Sequence, residues 1–121
     1  MNKAVVFDCD GTLLNTEGAP FKLYSGIAEL LLRLQRQDYA LFVWTGRDRL
    51  STEKYLQELG IRRFFDDLRA MSDCTPKPHP EGLRQMLGGL DPSRCVVVGD
   101  TWADMKGATE FGATGIGALW N

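Results

Sequence analysis

Two aspartates, Asp8 and Asp10, stand two positions apart at the end of a short apolar run, and Gly11 follows them. Carboxylates at i and i+2 leaving a strand can face one crevice, where their repulsion has to be offset by a cation or by keeping one of them protonated. Asp100, in Gly99-Asp100-Thr101, supplies a third acid, and Asp104 follows about one helical turn later. No histidine or thiolate cluster accompanies them, so the donor set favours a hard, oxygen-seeking ion, and Mg²⁺ is the usual one where a phosphate is also bound. Thr45 offers a hydroxyl, Gly46 an unobstructed backbone N–H and Lys77 a point charge, a set that suits a phosphate cradle. Each feature alone has a plain structural reading as well. Asp-Gly after a strand makes a turn, Thr-Gly caps the next helix, Asp100 and Asp104 favour a helix N-terminus, and a lysine between loop prolines is solvated. Chemistry is favoured by their occurring together in loops that one fold would gather.

The elements that must position these residues alternate. Lys3 to Phe7, Tyr39 to Trp44 and Cys95 to Val98 are apolar, β-rich runs, each ending at one of the polar groups above, which predicts strands. Thr114 to Leu119 reads as a weaker closing strand and Phe64 to Met71 as another, with Asp66-Asp67 weighing against it. Between them, Ile27, Leu30, Leu31 and Leu34 mark a helix with Ser25 ahead as N-cap. Tyr55, Leu56 and Leu59 mark a second that Gly60 ends. Leu83, Met86, Leu87 and Leu90 mark a third begun by Pro80, and Met105, Ala108 and Phe111 a fourth stopped by Gly112. This alternation predicts an α/β fold, a doubly wound, Rossmann-like three-layer sandwich around a mostly parallel sheet of about five strands. Ligands in such a sheet bind beyond the carboxyl ends of the strands, where Asp8, Asp10, Thr45, Gly46 and Asp100 all fall.

With 121 residues, 44% of them apolar, 10% aromatic and 25% charged, the chain has the size and composition of one folded domain spanning 1–121. Fourteen basic against sixteen acidic side chains, a formal net of −2 with no block of either sign, give no polybasic arm, so a nucleic-acid partner is disfavoured but stays open. Cys9, Cys74 and Cys95 are too scattered, with only His79 to join them, for a zinc site. An odd cysteine count, and a start that runs straight into Ala4–Phe7 with no secretory apolar segment, lead us to expect a cytoplasmic protein with no membrane partner.

The ordered set of motifs resembles the haloacid dehalogenase-like hydrolase superfamily. Asp8-Cys9-Asp10-Gly11-Thr12 is similar to its first motif, Thr45 in Trp44-Thr45-Gly46-Arg47 to its second, Lys77-Pro78 to its third and Gly99-Asp100-Thr101-Trp102-Ala103-Asp104 to its fourth. The resemblance implies a Mg²⁺-dependent phosphatase. Asp8 would be the nucleophile that becomes an aspartyl-phosphate, and Asp10 the general acid and base. Asp8, Asp100 and Asp10, the last through its backbone carbonyl, would bind the metal, with Asp104 supporting its waters or Lys77 from behind. Thr45, Gly46 and Lys77 would hold the phosphoryl group, and Thr12 would tighten the turn beside it. The aspartate at position 10 points away from carbon–halogen cleavage and from ion pumping. Cys9, smaller than the residue usual there, reads as a core side chain pointing away from the crevice.

Many relatives insert a cap after the first motif, whereas Leu13 to Ser25 leaves room for a flap over 13–25 and no cap domain. Specificity then falls to rim residues. Arg47 is the first choice for gripping a second anionic group of the substrate, with Glu17, Phe21, Lys22, Tyr24, Arg49, His79 and Trp102 also on the expected rim. A phosphorylated small molecule is the expected substrate, and a homo-oligomer covering the site stays open. Two further functions also stay open: phosphoryl transfer to another acceptor, and a non-catalytic phosphate-binding scaffold.

Overall fold

The computed structural model describes residues 2–121. Along the chain run β1 (Ala4–Phe7), β2 (Leu14–Asn15), β3 (Lys22–Leu23), α1 (Ile27–Arg36), β4 (Ala40–Asp48), α2 (Arg49–Glu58), β5 (Asp67–Met71), α3 (Glu81–Leu87), β6 (Cys95–Gly99), α4 (Trp102–Phe111) and β7 (Thr114–Gly117). Five strands form one sheet in the order β5-β4-β1-β6-β7, every neighbouring pair parallel. The chain leaves β1 for β4 on one side and returns to β6 on the other, so the strand order reverses at β1. The loop after β1 opens at that switch point.

Alternation along the buried strands sorts the core into two layers. Val5 and Phe7 of β1 and Leu41 and Val43 of β4 pack with Ile27 and Leu31 of α1 and Leu56 of α2. Ala4, Val6, Phe42 and Trp44 face the other way, with Leu83, Met86 and Leu87 of α3 and Ala108 of α4. Both faces of the central strands β1 and β4 are therefore apolar and covered, as a parallel sheet requires, while the edge strand β7 is exposed. Among the described residues no helix is long and apolar enough to cross a membrane.

Trp44 ties this packing to the loops beyond it. Its indole is 2% exposed, and the two helices of its layer approach it through glycines. A Cβ on Gly82 would lie 2.8 Å from Trp44 Nε1, and one on Gly107 would lie 2.3 Å from Trp44 Cη2. Gly107→Ala is accordingly expected to overpack this layer and lower stability by about 1–3 kcal/mol, read as a fall in the thermal midpoint.

The structure corrects several element boundaries. Ser25 does not cap α1, whose entry is Gly26 in the left-handed region with no side-chain cap. Pro80 is the N-cap of α3 and not its first turn, and the helix ends at Leu87, short of Leu90, because Gly88 and Gly89 cannot sustain it. The segment from Phe64 divides into a 3₁₀ turn over Arg62–Phe64 and then β5, which takes in Asp67 at an edge of the sheet. The closing strand stops at Gly117 and leaves Leu119 outside. β4 continues past Trp44 to Asp48, but its pairing with β5 is irregular between those residues, so Thr45, Gly46 and Arg47 leave the ladder towards the site. Gly60 and Gly112 do lie in the left-handed conformation at the ends of α2 and α4, as their positions predict.

Candidate active site

Beyond the carboxyl ends of β1, β4 and β6 lies an open cavity of about 870 Å³, lined among others by Asp8, Asp10, Thr45, Gly46, Lys77 and Asp100. Every expected catalytic or phosphate-holding side chain therefore reaches one space, including Lys77, which arrives on the loop between β5 and α3. Glu17, Tyr24 and Arg47 reach it too.

The loop after β1 is a tight turn built from its own backbone. The Cys9 carbonyl accepts from the N–H groups of Thr12, Leu13 and Leu14, at 3.3, 2.9 and 2.9 Å. Gly11 sits at φ +81°, and a Cβ there would fall 2.0 Å from Asp100 Oδ2, so both the backbone and the neighbouring acid demand glycine. Cys9 is fully buried in the α1/α2 layer and does not line the cavity. Thr12 is fully buried as well, yet its hydroxyl has no partner. It is the backbone of Thr12, and not the side chain, that tightens the turn.

Asp8 is 8% exposed, with Oδ1 accepting from Lys77 Nζ at 3.0 Å. Lys77 also pairs with the fully buried Asp104 and lies 4.9 Å from the Trp44 ring centroid, so an acid on either hand and an aromatic face hold the ammonium in place. Asp104 in turn accepts from the backbone N–H and hydroxyl of Thr101, closing the capping box that starts α4. Burial pushes the Asp8 carboxyl up to about 7, the Lys77 ammonium works against that rise, and the Asp104 and Asp100 carboxyls add to it.

One oxygen each from Asp8, Asp100 and Asp104 lies within 4.8 Å of the others. The Asp10 side chain does not join this trio. It turns to Arg47, which grips it with two bonds, Nε to Oδ1 at 2.9 Å and Nη2 to Oδ2 at 2.8 Å. That leaves only the Asp10 backbone carbonyl to serve a metal, the atom the resemblance implies. Arg47 itself donates to Ser51 Oγ and lies against Phe21 and Tyr55, whose rings are 4.7 Å apart. The guanidinium expected to meet a substrate anion is thus engaged with an acid of the protein. Thr45 is buried, and its Oγ1 accepts from the Arg47 N–H, which shapes the irregular end of β4, while Gly46 is exposed.

Other rim residues fall outside the cavity wall. Arg49 pairs with Asp73, His79 accepts from the Glu81 N–H in the loop before α3, and Trp102 points to solvent at 70% exposure. The flap over 13–25 contains the short antiparallel pair β2 and β3, with Lys22 exposed on it. Sequence reasoning missed the contribution from beyond β7. There Trp120 Nε1 donates to the Thr12 carbonyl at 3.0 Å, and Asn121 Nδ2 donates to the Gly11 carbonyl and to Asp100 Oδ2, at 3.0 and 2.8 Å. An amide after a glycine-rich strand carries no motif, and only the fold shows what it reaches.

The charges decide what this space can hold. Asp10 is neutralised by Arg47, whereas the trio of Asp8, Asp100 and Asp104 has one ammonium beside it, Lys77, paired with Asp8 and Asp104. When ionised, the trio carries two uncompensated negative charges, which match a divalent cation. Asp100 Oδ1 is buried with no hydrogen-bond partner. A buried, unpartnered carboxylate oxygen among hard donors fits Mg²⁺ or a similar ion.

A switch-point loop bearing two aspartates, faced by a buried lysine and by the acids that follow β6, defines a Rossmann-like protein with an acid–lysine site. The chain belongs to the haloacid dehalogenase-like hydrolase family, whose model matches residues 19–118. It is 37% identical over 105 residues to the probable phosphatase IndB of Dickeya dadantii, covering 84% of this chain and 46% of that protein. It is 33% identical over 100 residues to the pyrophosphatase PpaX of Bacillus velezensis, covering 80% and 46%. The chain therefore spans about half the length of the curated relatives it matches. Among solved structures, a predicted phosphoglycolate phosphatase from Haemophilus somnus superposes with a TM-score of 0.90 at 19% identity, covering 96% of this chain and 84% of that one.

Proposed function

We propose that residues 1–121 form the catalytic core of a Mg²⁺-dependent phosphomonoesterase that works through an aspartyl-phosphate on Asp8. The observation that carries this reading is the buried Asp8, bonded to Lys77 and grouped with Asp100, one of whose oxygens is buried without a partner. Relatives named as a phosphatase and a pyrophosphatase support the same chemistry. Asp8, Asp100 and the Asp10 carbonyl would hold the metal, which when bound would draw charge from a phosphoryl oxygen.

The protein's own groups account for the rest. Asp8 attacks phosphorus in line, and as its bond to phosphorus forms, the bond to the ester oxygen breaks. Asp10 would have to turn from Arg47 and take up a proton to act here; it would then give that oxygen its proton and take one from the water that attacks the aspartyl-phosphate, releasing inorganic phosphate and restoring Asp8. Thr45 Oγ1, the Gly46 N–H and Lys77 Nζ hold the remaining oxygens, and Lys77 lowers the repulsion between two anions that must meet. The flap from 13 to 25 shapes the mouth of a site that stays open to solvent. The free Cys9, Cys74 and Cys95 suit a reducing, cytoplasmic setting.

The test is phosphate release from a panel of aryl phosphate, pyrophosphate and phosphorylated small acids, sugars and nucleotides. Release is expected with Mg²⁺, lost in EDTA and restored when Mg²⁺ is returned. Mg²⁺ binding without turnover of any member would overturn the enzymatic reading in favour of a scaffold. Diversion of the phosphoryl group from water to added alcohols would favour transfer.

A further inference from the structure

We propose that Asn121 is a positioning residue for the cation site, fixing the orientation of Asp100 and joining the loop after β1 to the loop after β6. The inference rests on the metal-dependent reading above. Asp100 has two oxygens in different circumstances. Oδ2 accepts from Asn121 Nδ2 at 2.8 Å and faces Gly11 so closely that a single added methyl there would collide with it. Oδ1 is buried and has no partner. A carboxylate pinned through one oxygen holds its whole group in a fixed direction, and Asp100 brings one oxygen within 4.8 Å of ligand atoms of both Asp8 and Asp104.

The same amide group also donates to the Gly11 carbonyl at 3.0 Å. Both bonds go to acceptors, so the nitrogen end of the side chain must face the site, and an aspartate there would turn a second carboxylate on Asp100. Asn121 is held in reach by its neighbours. The Ala118 N–H donates to the Gly99 carbonyl at 2.7 Å, Ala118 is 2% exposed, and Trp120 Nε1 reaches the Thr12 carbonyl. The segment after β7 thus bridges the two loops that carry Asp8, Asp10 and Asp100. Preorganisation of this kind raises metal affinity because the ligand has fewer orientations to lose on binding.

Mg²⁺ is titrated by calorimetry into the full chain and into Asn121→Ala and Asn121→Gln, and each is melted in EDTA. Wild type is expected to bind Mg²⁺, and Asn121→Ala to bind it about 10- to 100-fold more weakly. Metal-free melting points should agree within about 3 °C, because Asn121 is exposed. Asn121→Gln keeps the donor and should recover part of the affinity. Equal affinity in wild type and Asn121→Ala, or a loss seen only in metal-free melting, would overturn the positioning role. Absence of Mg²⁺ binding by the wild type would instead overturn the metal-dependent reading on which it stands.

Discussion

Asp8→Asn is expected to abolish phosphate release, by on the order of 10⁴-fold or more, and at the same time to make the metal-free protein more stable at pH 8. The first effect follows from the proposed role of Asp8 as nucleophile, since an amide cannot form an acyl-phosphate and hand it on to water. The second follows from burial. Asp8 is pushed up to about 7 from its ordinary 3.8, so in the folded, metal-free chain its ionised form is disfavoured. A carboxyl whose folded value is raised weakens the fold where it is ionised. The penalty is full above about pH 7, and it fades as pH falls from about 7 to about 4, until both states are protonated. At one unit per roughly 1.4 kcal/mol, and allowing for the lost bond to Lys77, the gain in the variant is on the order of 2 kcal/mol at pH 8. Melting both proteins in EDTA across this range should show the gap narrowing with acid. A variant less stable than wild type throughout would contradict the electrostatic account of the cluster.

Asp100→Asn should remove the thermal response to Mg²⁺. In the wild type, an ion that binds only the folded state adds about 2.7 kcal/mol at a hundred times its dissociation constant, a rise of several degrees in the melting midpoint. The variant keeps the shape of the side chain and an oxygen for Asn121, but it takes one of two uncompensated charges from the trio and exchanges a carboxylate ligand for a neutral one. Its metal-free midpoint should match or exceed that of the wild type, because one of three like charges crowded together has been removed. Paired melts with EDTA and with excess Mg²⁺ check this. An undiminished Mg²⁺ shift in Asp100→Asn would place the cation elsewhere.

Much of this arrangement was legible before any coordinates because the two periodicities of the chain are clean. Residues such as Val5 and Phe7 alternate with Ala4 and Val6 between two covered faces, so the central strand reads as an apolar run, and the loop that follows it must open at the switch point. Asp8, Asp10, Thr45 and Asp100 announce themselves as polar residues placed where such strands end, and Lys77 as a cation in the loop before the third helix. Local boundaries were harder to see, since serine ahead of a helix signals a cap only if the backbone enters from the extended region, and α1 is entered through the left-handed Gly26. Long-range polar pairing was invisible for a different reason. That Arg47 closes on Asp10, and that Asn121 reaches Asp100, depends on how distant loops converge. No periodicity or local spacing encodes that convergence.

The central claim is that the phosphoryl group passes through Asp8. It is tested most directly by mixing the Mg²⁺-loaded enzyme with a turned-over phosphate ester, quenching in acid within the first turnovers, and locating the bound phosphoryl group by peptide mass spectrometry. A phosphoryl group is expected on the peptide that carries Asp8, released by hydroxylamine and absent from Asp8→Asn. Full turnover with no phosphorylated peptide at any quench time, or a phosphoryl group that accumulates on another residue, would contradict it.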